Sequence, residues 1–364
     1  MMENRKEYLQ VCISSNISVL DAMKKMDEVR KKLLITIDES GKYVTLISIG
    51  DVQRAILQGV NLSLSVSELK LDRKIVASTS DSMQDISDLM KKIRAEFMPV
   101  LDGEGNIIKV VFWEELINQD EIKPSNQYDV PVVIMAGGKG TRLKPLSNVL
   151  PKPLTPIGEK TILEEIMSRF ENAGSNDFYM SVNYKKEMIE YYLNSVNQAD
   201  KVSFFEEDKP LGTAGSLSLL KGKIDKTFYV TNCDILIEQD LGELYEYHQR
   251  NQNEITLVSA LKTLSIPYGT IQSGKDGILE SMEEKPQLTF KINAGVYILE
   301  PHLLNEIPEN EFYHITDLIA SVNDRGGRVG VFPISEKSWL DIGEWPEYIK
   351  TVRMLSGEEQ FRGL

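Results

Sequence analysis

Apolar and polar positions along the first 120 residues follow one pattern twice. A helical period over residues 19–29 leads to an apolar run at 33–37, an Asp-x-x-Gly turn, a second apolar run and a short helix. The same succession returns with a helix at 83–93 and a run at 97–101. Asp21 and Asp85, Met26 and Met90, Arg30 and Arg94, Asp38 and Asp102, and Gly41 and Gly105 pair at a single separation. A small unit that cannot bury its own apolar face is expected to pack against its twin. Residues 121–129 are polar, contain Pro124 and have no apolar period, which reads as a linker.

From residue 130 the pattern changes to alternating strands and helices. Runs at 130–135, 178–182, 202–205 and 228–231 read as strands, and residues 186–194 as a helix. Another helix over 161–173 places Ile162, Ile166 and Phe170 four apart and stops at Gly174. Such alternation argues for a parallel sheet covered by helices on both faces, with ligands at the carboxyl ends of the strands. The expected organisation is therefore residues 1–120 as a tandem pair (repeats about 7–66 and 71–120), a linker at 121–129, and an α/β domain over 130–364.

Composition narrows the partners. At 364 residues, 41% apolar and 26% charged, the chain has the length and content for two globular domains. Its net charge of −14 argues against a nucleic-acid or anionic-membrane partner, since either requires a basic face. Two cysteines, Cys12 and Cys233, do not make a disulfide framework. The polar start and the lack of any bilayer-length apolar run place the protein in the cytoplasm as an expectation.

The first predicted strand of the α/β domain runs into Ala136-Gly137-Gly138-Lys139-Gly140-Thr141-Arg142, and Pro151-Lys152-Pro153 follows. Three glycines in four positions let backbone N–H groups approach an anion closely. Arg142 adds a fork of donors for phosphate oxygens, and Lys152, between two prolines, adds a point charge. A dinucleotide fingerprint would put glycine where Arg142 stands, and a Walker A loop would end in Gly-Lys-Ser/Thr. Residues 137–146 and 151–154 instead resemble the GGxGTRLxPL and PKPL signatures of sugar-1-phosphate nucleotidyltransferases.

That resemblance implies a Rossmann-like mixed sheet flanked by helices, and a Mg²⁺-dependent reaction of a nucleoside triphosphate with a sugar-1-phosphate. It implies that Ala136, Gly137, Gly138, Gly140, Thr141 and Arg142 bind nucleotide, with Arg142 and Lys152 catalytic through their charge. Leu211-Gly212-Thr213-Ala214-Gly215 resembles the LGTAG stretch that packs on the nucleoside, making Gly212 and Thr213 nucleotide-binding. Glu207 occupies the base-reading position. A carboxylate only accepts hydrogen bonds, so it favours guanine, with two adjacent donors, while a pyrimidine's single N–H stays open.

Asp234 ends an apolar strand, a natural place for a ligand of a hard cation. The alternative is a helix cap, for which Asp240 is better placed. By resemblance Asp234 and the acid of Trp339-Leu340-Asp341-Ile342-Gly343 hold the metal. Glu284 and Lys285 of an EKP motif, Asn293 and Gly295 of NAGxY, and Asn183 would hold the sugar phosphate. Cys233 reads as a small filler, and His248, His302 and His314 as surface or packing residues.

The repeat resembles a tandem pair of CBS domains. In that family an adenine nucleotide often sits between the copies, with a Ser/Thr-x-x-Asp on the ribose; Ser48 and Asp51 match, whereas the second copy offers Phe112 and Glu115. A dimerising pair without ligand is the alternative, and a homo-oligomer is expected. A front-end pair of this kind resembles an arrangement in bacterial surface-sugar pathways, including the branch that makes GDP-glucosamine for legionaminic acid. This implies GTP and glucosamine-1-phosphate as substrates. Mannose-1-phosphate guanylyl transfer, uridylyl, thymidylyl or cytidylyl transfer to another hexose phosphate, and a non-catalytic nucleotide sensor are the alternatives.

Overall fold

The structure, a computed structural model, describes residues 8–71, 75–93, 95–112, 127–138, 140–183, 185–336 and 338–355. Arg94, Glu115, Lys139 and the linker residues 121–126 lie outside them. The chain divides into two compact units, residues 1–123 and 124–364.

The first unit contains two three-stranded sheets of one design. In the first, β1 (Cys12–Ser14) runs parallel to β2 (Leu33–Ile37), which is antiparallel to β3 (Tyr43–Ser48). In the second, β4 (Ala77–Ser78), β5 (Phe97–Leu101) and β6 (Ile107–Phe112) repeat this order. The 64-residue offset is kept in the register: Ile13 opposes Thr36 as Ala77 opposes Val100, and Leu34 opposes Ile47 as Met98 opposes Val111. Helices α1 (Val19–Val29) and α3 (Met83–Ile93) start alike, on Ser18 and Ser82, whose hydroxyls accept the N–H of Asp21 and Asp85. At the matching turns, hydrogen bonds hold two carboxylates below the usual range. Asp38 is lowered chiefly by the Ser40 hydroxyl and Asp102 by the Asn106 amide.

The copies differ where the ribose motif was expected. Ser48 and Asp51 form a capping box at the start of α2 (Ile49–Leu57), and Arg54 pairs with the other oxygen of Asp51, which is buried. The counterpart of Ser48 is Phe112, whose ring packs on Phe97 and lies beneath the Lys31 ammonium at 5.6 Å.

The second unit is built on a seven-stranded sheet. An inner strand, β7 (Val132–Met135), is buried on both faces, which is why Val132, Val133 and Ile134 are all apolar. Beside it lie β8 (Phe178–Val182) and then β9 (Val202–Glu206), and on its other side β10 (Phe228–Asn232), all parallel. The all-parallel expectation fails beyond this point, giving the mixed sheet implied by the motifs. Strand β15 (Gln287–Leu299) runs antiparallel between β10 and β12 (Ile255–Ser265), and β16 (Val329–Ile334) closes the sheet parallel to β12. Helix α4 (Ile162–Asn172) begins in a Thr161–Glu164 capping box, α5 spans Lys186–Ser195, and α6 (Leu241–Arg250) is capped by Asp240.

The outer ends of β12 and β15 leave the sheet as a two-stranded arm. Beside it in sequence, β13 (Thr270–Ser273) pairs with β14 (Leu279–Glu283). Leu264, Ile271, Met282 and Phe290 of these strands are exposed. Among the described residues no helix is long and apolar enough to cross a membrane.

Candidate active site

Register brings the site together. Met135 lies level with Ser181 on one side and Asn232 on the other, and Val182 is level with Glu206. The residues that follow, Ala136-Gly137, Asn183, Glu207 and Cys233-Asp234, therefore emerge at one edge. They open onto a cavity of about 430 Å³ lined by Met135, Gly137, Gly138, Gly140, Thr141, Arg142, Lys152, Asn183, Glu207, Pro210, Gly212, Thr213, Asn232, Cys233, Asp234, Phe312, His314 and Gly343.

The loop's glycines have separate reasons. A Cβ on Gly137 would stand 3.0 Å from Glu207 Oε1, so glycine admits the buried carboxylate behind the loop. Gly140 has φ +60° and would meet Lys152 Cβ at 3.3 Å, so it lets the lysine lie against the loop. The Lys152 ammonium pairs with Asp234, and both side chains are nearly buried. Arg142 stands at the rim, 3.0 Å from Glu344.

Asp341 comes from far along the chain. Strand β11 (Ile235–Ile237) pairs antiparallel with β17 (Trp339–Asp341), putting Ile235 opposite Asp341, and the Ile342 N–H donates to the Asp234 carbonyl at 2.8 Å. A Cβ on Gly343 would meet Asp341 Oδ1 at 2.8 Å and Asp234 Oδ2 at 2.9 Å, so the two carboxylates converge on the space that glycine leaves. Burial raises the Asp341 carboxyl above its ordinary range. The Asp234 charge adds to the rise, opposed by the Gly343 N–H, Lys152 and Arg142. Two converging carboxylates with a deficit of positive charge are a donor set suited to a hard divalent cation. Immediately before Asp234, the Cys233 thiol is pushed up to about 12 by burial, which leaves it inert as a nucleophile at neutral pH.

Glu207 is buried, with one oxygen accepting from the Ser181 hydroxyl at 2.6 Å and the other from the Leu211 N–H at 3.0 Å. Each oxygen keeps a further lone pair for a ligand. Asn183 lies beside it, its amide donating to the Glu207 carbonyl at 2.9 Å. The Thr213 hydroxyl accepts the N–H of Ile315, the first residue of α7 (Ile315–Asp324), so its local role is to hold that helix start.

Four expected sugar ligands are not among the cavity-lining residues. Glu284 and Lys285 follow β14 on the exposed hairpin. Asn293 is engaged at both ends, donating to the Tyr297 hydroxyl and accepting the Gly295 N–H. Gly295, at φ +76°, leaves room for Asn232. Ala136 is buried beneath the loop.

Sequence reasoning missed Phe312 and gave His314 a surface or packing role; both line the cavity. A sign of them was the Gly-x-x-Gly spacing of Gly212 and Gly215, where a Cβ would strike Tyr313 O at 2.7 Å and Glu311 O at 2.6 Å. Only another backbone pressed against that turn demands both glycines. His248 does fill a packing role, bonded to Thr256 and Glu300, and His302 pairs with Glu254.

Residues 131–357 match the model of the nucleotidyl transferase family, and the chain belongs to that family. It is 30% identical over 226 residues to a mannose-1-phosphate guanyltransferase of Aspergillus oryzae, covering 60% of this chain and 62% of that protein. A mannose-1-phosphate guanyltransferase of Schizosaccharomyces pombe is 32% identical over 227 residues, with the same coverage. The chain thus spans about three fifths of the length of the curated relatives it matches. Among solved structures it resembles HddC from Yersinia pseudotuberculosis, with TM-score 0.50, 29% identity, and coverage of 62% of this chain and 99% of that one.

Proposed function

We propose that this protein transfers a nucleotidyl group from a nucleoside triphosphate to a sugar-1-phosphate, releasing pyrophosphate. The observation that carries this reading is the convergence on one cavity of the glycine loop, Arg142, the Lys152–Asp234 pair and the Asp341 side of Gly343. An oxygen of the sugar phosphate attacks the α-phosphorus, and the bond to the β-phosphate's bridging oxygen breaks. The attacking phosphate is already anionic at neutral pH, so no protein base is required. Lys152 and Arg142 supply positive charge to the phosphates by exchanging their present partners, Asp234 and Glu344, for substrate oxygens. Asp234 and Asp341 would hold Mg²⁺, which supplies charge neutralisation at the phosphates.

The base is guanine, supported by the acceptor-only Glu207 in the cavity wall and by relatives named as guanyltransferases. For the sugar, the front-end repeat favours glucosamine-1-phosphate in a bacterial surface-glycan or nonulosonate route, and the relatives' names favour mannose-1-phosphate. The first unit is read as a CBS pair. Because the Asp51 carboxylate is already held by Ser48 and Arg54, an adenine nucleotide there would have to displace those bonds. The homo-oligomer reading is supported by the exposed apolar side chains of the arm.

A pyrophosphate-release assay crossing GTP, ATP, UTP, dTTP and CTP with glucosamine-, mannose- and glucose-1-phosphate tests the reaction. Turnover confined to GTP with one hexose phosphate is expected. No turnover with any pair would instead favour a nucleotide sensor. Asp341→Asn should lower turnover about 10² to 10³-fold with the melting temperature kept, since it removes one charge from the site.

A further inference from the structure

One wall of the cavity is used by neither the phosphate loop nor the two acids. Phe312 and His314 line it together with Pro210, Gly212 and Thr213. Phe312 is 63% exposed, so the core does not explain its aromatic ring. That ring meets His314 edge to face, with centroids 4.7 Å apart at 83°. The backbone presenting it is fixed on both sides. The Tyr313 carbonyl accepts from the N–H groups of Ala214 and Gly215 at 3.0 Å each, and the Tyr313 N–H donates to Leu211 O at 2.9 Å. The Thr213 hydroxyl, which accepts the Ile315 N–H, also lies 3.4 Å from His314 Nδ1. Where Nδ1 accepts the proton of that hydroxyl, the ring's N–H lies on Nε2, which is the donor His314 can offer a ligand.

We propose that Phe312 and His314 form the base-binding wall of the nucleotide site, with the Phe312 ring stacked on the nucleobase and His314 donating a hydrogen bond to the base. This rests on the reading above that the cavity takes a nucleoside triphosphate. An aromatic ring held exposed at a cavity mouth gains most from a flat π-system, and stacking serves every base because each has a π-face. Phe312 therefore supplies affinity without choice. Choice comes from the pairing of His314, a donor, with Glu207, an acceptor. Guanine offers a carbonyl and a ring nitrogen as acceptors beside its donors, whereas adenine's amino group stands where guanine has the carbonyl.

The test is calorimetry on the full chain with three probes: a GTP analogue carrying a methylene bridge between its α- and β-phosphates, the matching ATP analogue, and inorganic tripolyphosphate. Phe312→Ala and Phe312→Leu should each weaken binding of both analogues about tenfold or more, with tripolyphosphate unchanged, and Phe312→Trp should restore it. Leucine keeps the apolar bulk, so its failure to bind separates stacking from folding. His314→Ser, which can still cap α7, should narrow the preference for the guanine analogue. Phe312→Ala binding within twofold of wild type, or losing tripolyphosphate equally, would overturn the wall. His314→Ser with undiminished preference would overturn the histidine's part. Wild-type protein that binds tripolyphosphate but neither analogue would overturn the nucleotide reading itself.

Discussion

Gly343 has an ordinary backbone but no room for a side chain, because both site carboxylates point at the place its Cβ would take. Gly343→Ala is therefore expected to push Asp341 and Asp234 apart while leaving the fold intact. Turnover should fall at least tenfold, with a melting temperature within a few degrees of wild type, as expected when a misplacement of about 1 Å disturbs a positioned site. A large loss of stability with normal turnover in the surviving protein would contradict this. Gly137 shows the same logic against Glu207, and Gly140 against Lys152. At this scale the glycine loop resolves into two close approaches, Gly137 to Glu207 and Gly140 to Lys152, with nothing within 4 Å of the Cβ place of Gly138. The glycines were legible from sequence; what they make room for was not.

Elements carry the next level of the argument, since the site's two acids meet only because β11 and β17 pair across about a hundred residues of chain. Trp339 ties that pair to β15, its indole N–H donating to the Ala294 carbonyl at 3.1 Å, so the WxDxG and NAGxY motifs are one structural joint. On the opposite wall, Thr213 joins the Gly212–Gly215 turn to the start of α7. Thr213→Val keeps the shape and removes the acceptor for the Ile315 N–H. It should cost about 1 kcal/mol by chemical denaturation, and nucleotide affinity should fall with it because His314 loses its footing. A neutral effect on both would show that α7 is held without this bond.

Across the whole molecule, acidity is managed by local pairing. Glu254, His302 and Glu306 lie close enough to suggest a metal group, but the Arg325 guanidinium bridges Glu254 and Glu306 and fills that role. The Arg325 hydrogen bond is the main cause that holds the Glu254 carboxyl down to about 2, joined by His302 and the Arg328 N–H and opposed by burial. A carboxyl whose folded value lies below its unfolded value contributes stability above the unfolded one and loses it as pH falls through the folded one. Glu254 therefore helps above pH 4.5 and ceases to help as pH falls towards 2. Urea unfolding of Glu254→Gln should show a flatter dependence than wild type over that window. Some slope should survive, because Asp38, Asp85, Asp102 and Glu300 are lowered too. An unchanged slope would remove Glu254 from this account.

Period, turn chemistry and spacing are local matters, so the expectation of two units, of a doubled pattern in the first and of a glycine loop with Arg142 and Lys152 could be read from residues alone. The sequence also placed Asp234 and Asp341 in suggestive motifs, through resemblance to known signatures. Tertiary structure alone decided that β15 reverses direction inside the sheet, since an antiparallel neighbour and a parallel one can read the same in an apolar run. It alone aligned the ends of β7, β8, β9 and β10, and set Lys152 against Asp234. It also left Glu284 and Lys285 on an exposed hairpin and brought Phe312 and His314 to the cavity through backbone hydrogen bonds from a turn a hundred residues earlier. Backbone bonds of that kind depend little on side-chain identity, and their trace in the residue pattern is confined to the two glycines of the turn, Gly212 and Gly215.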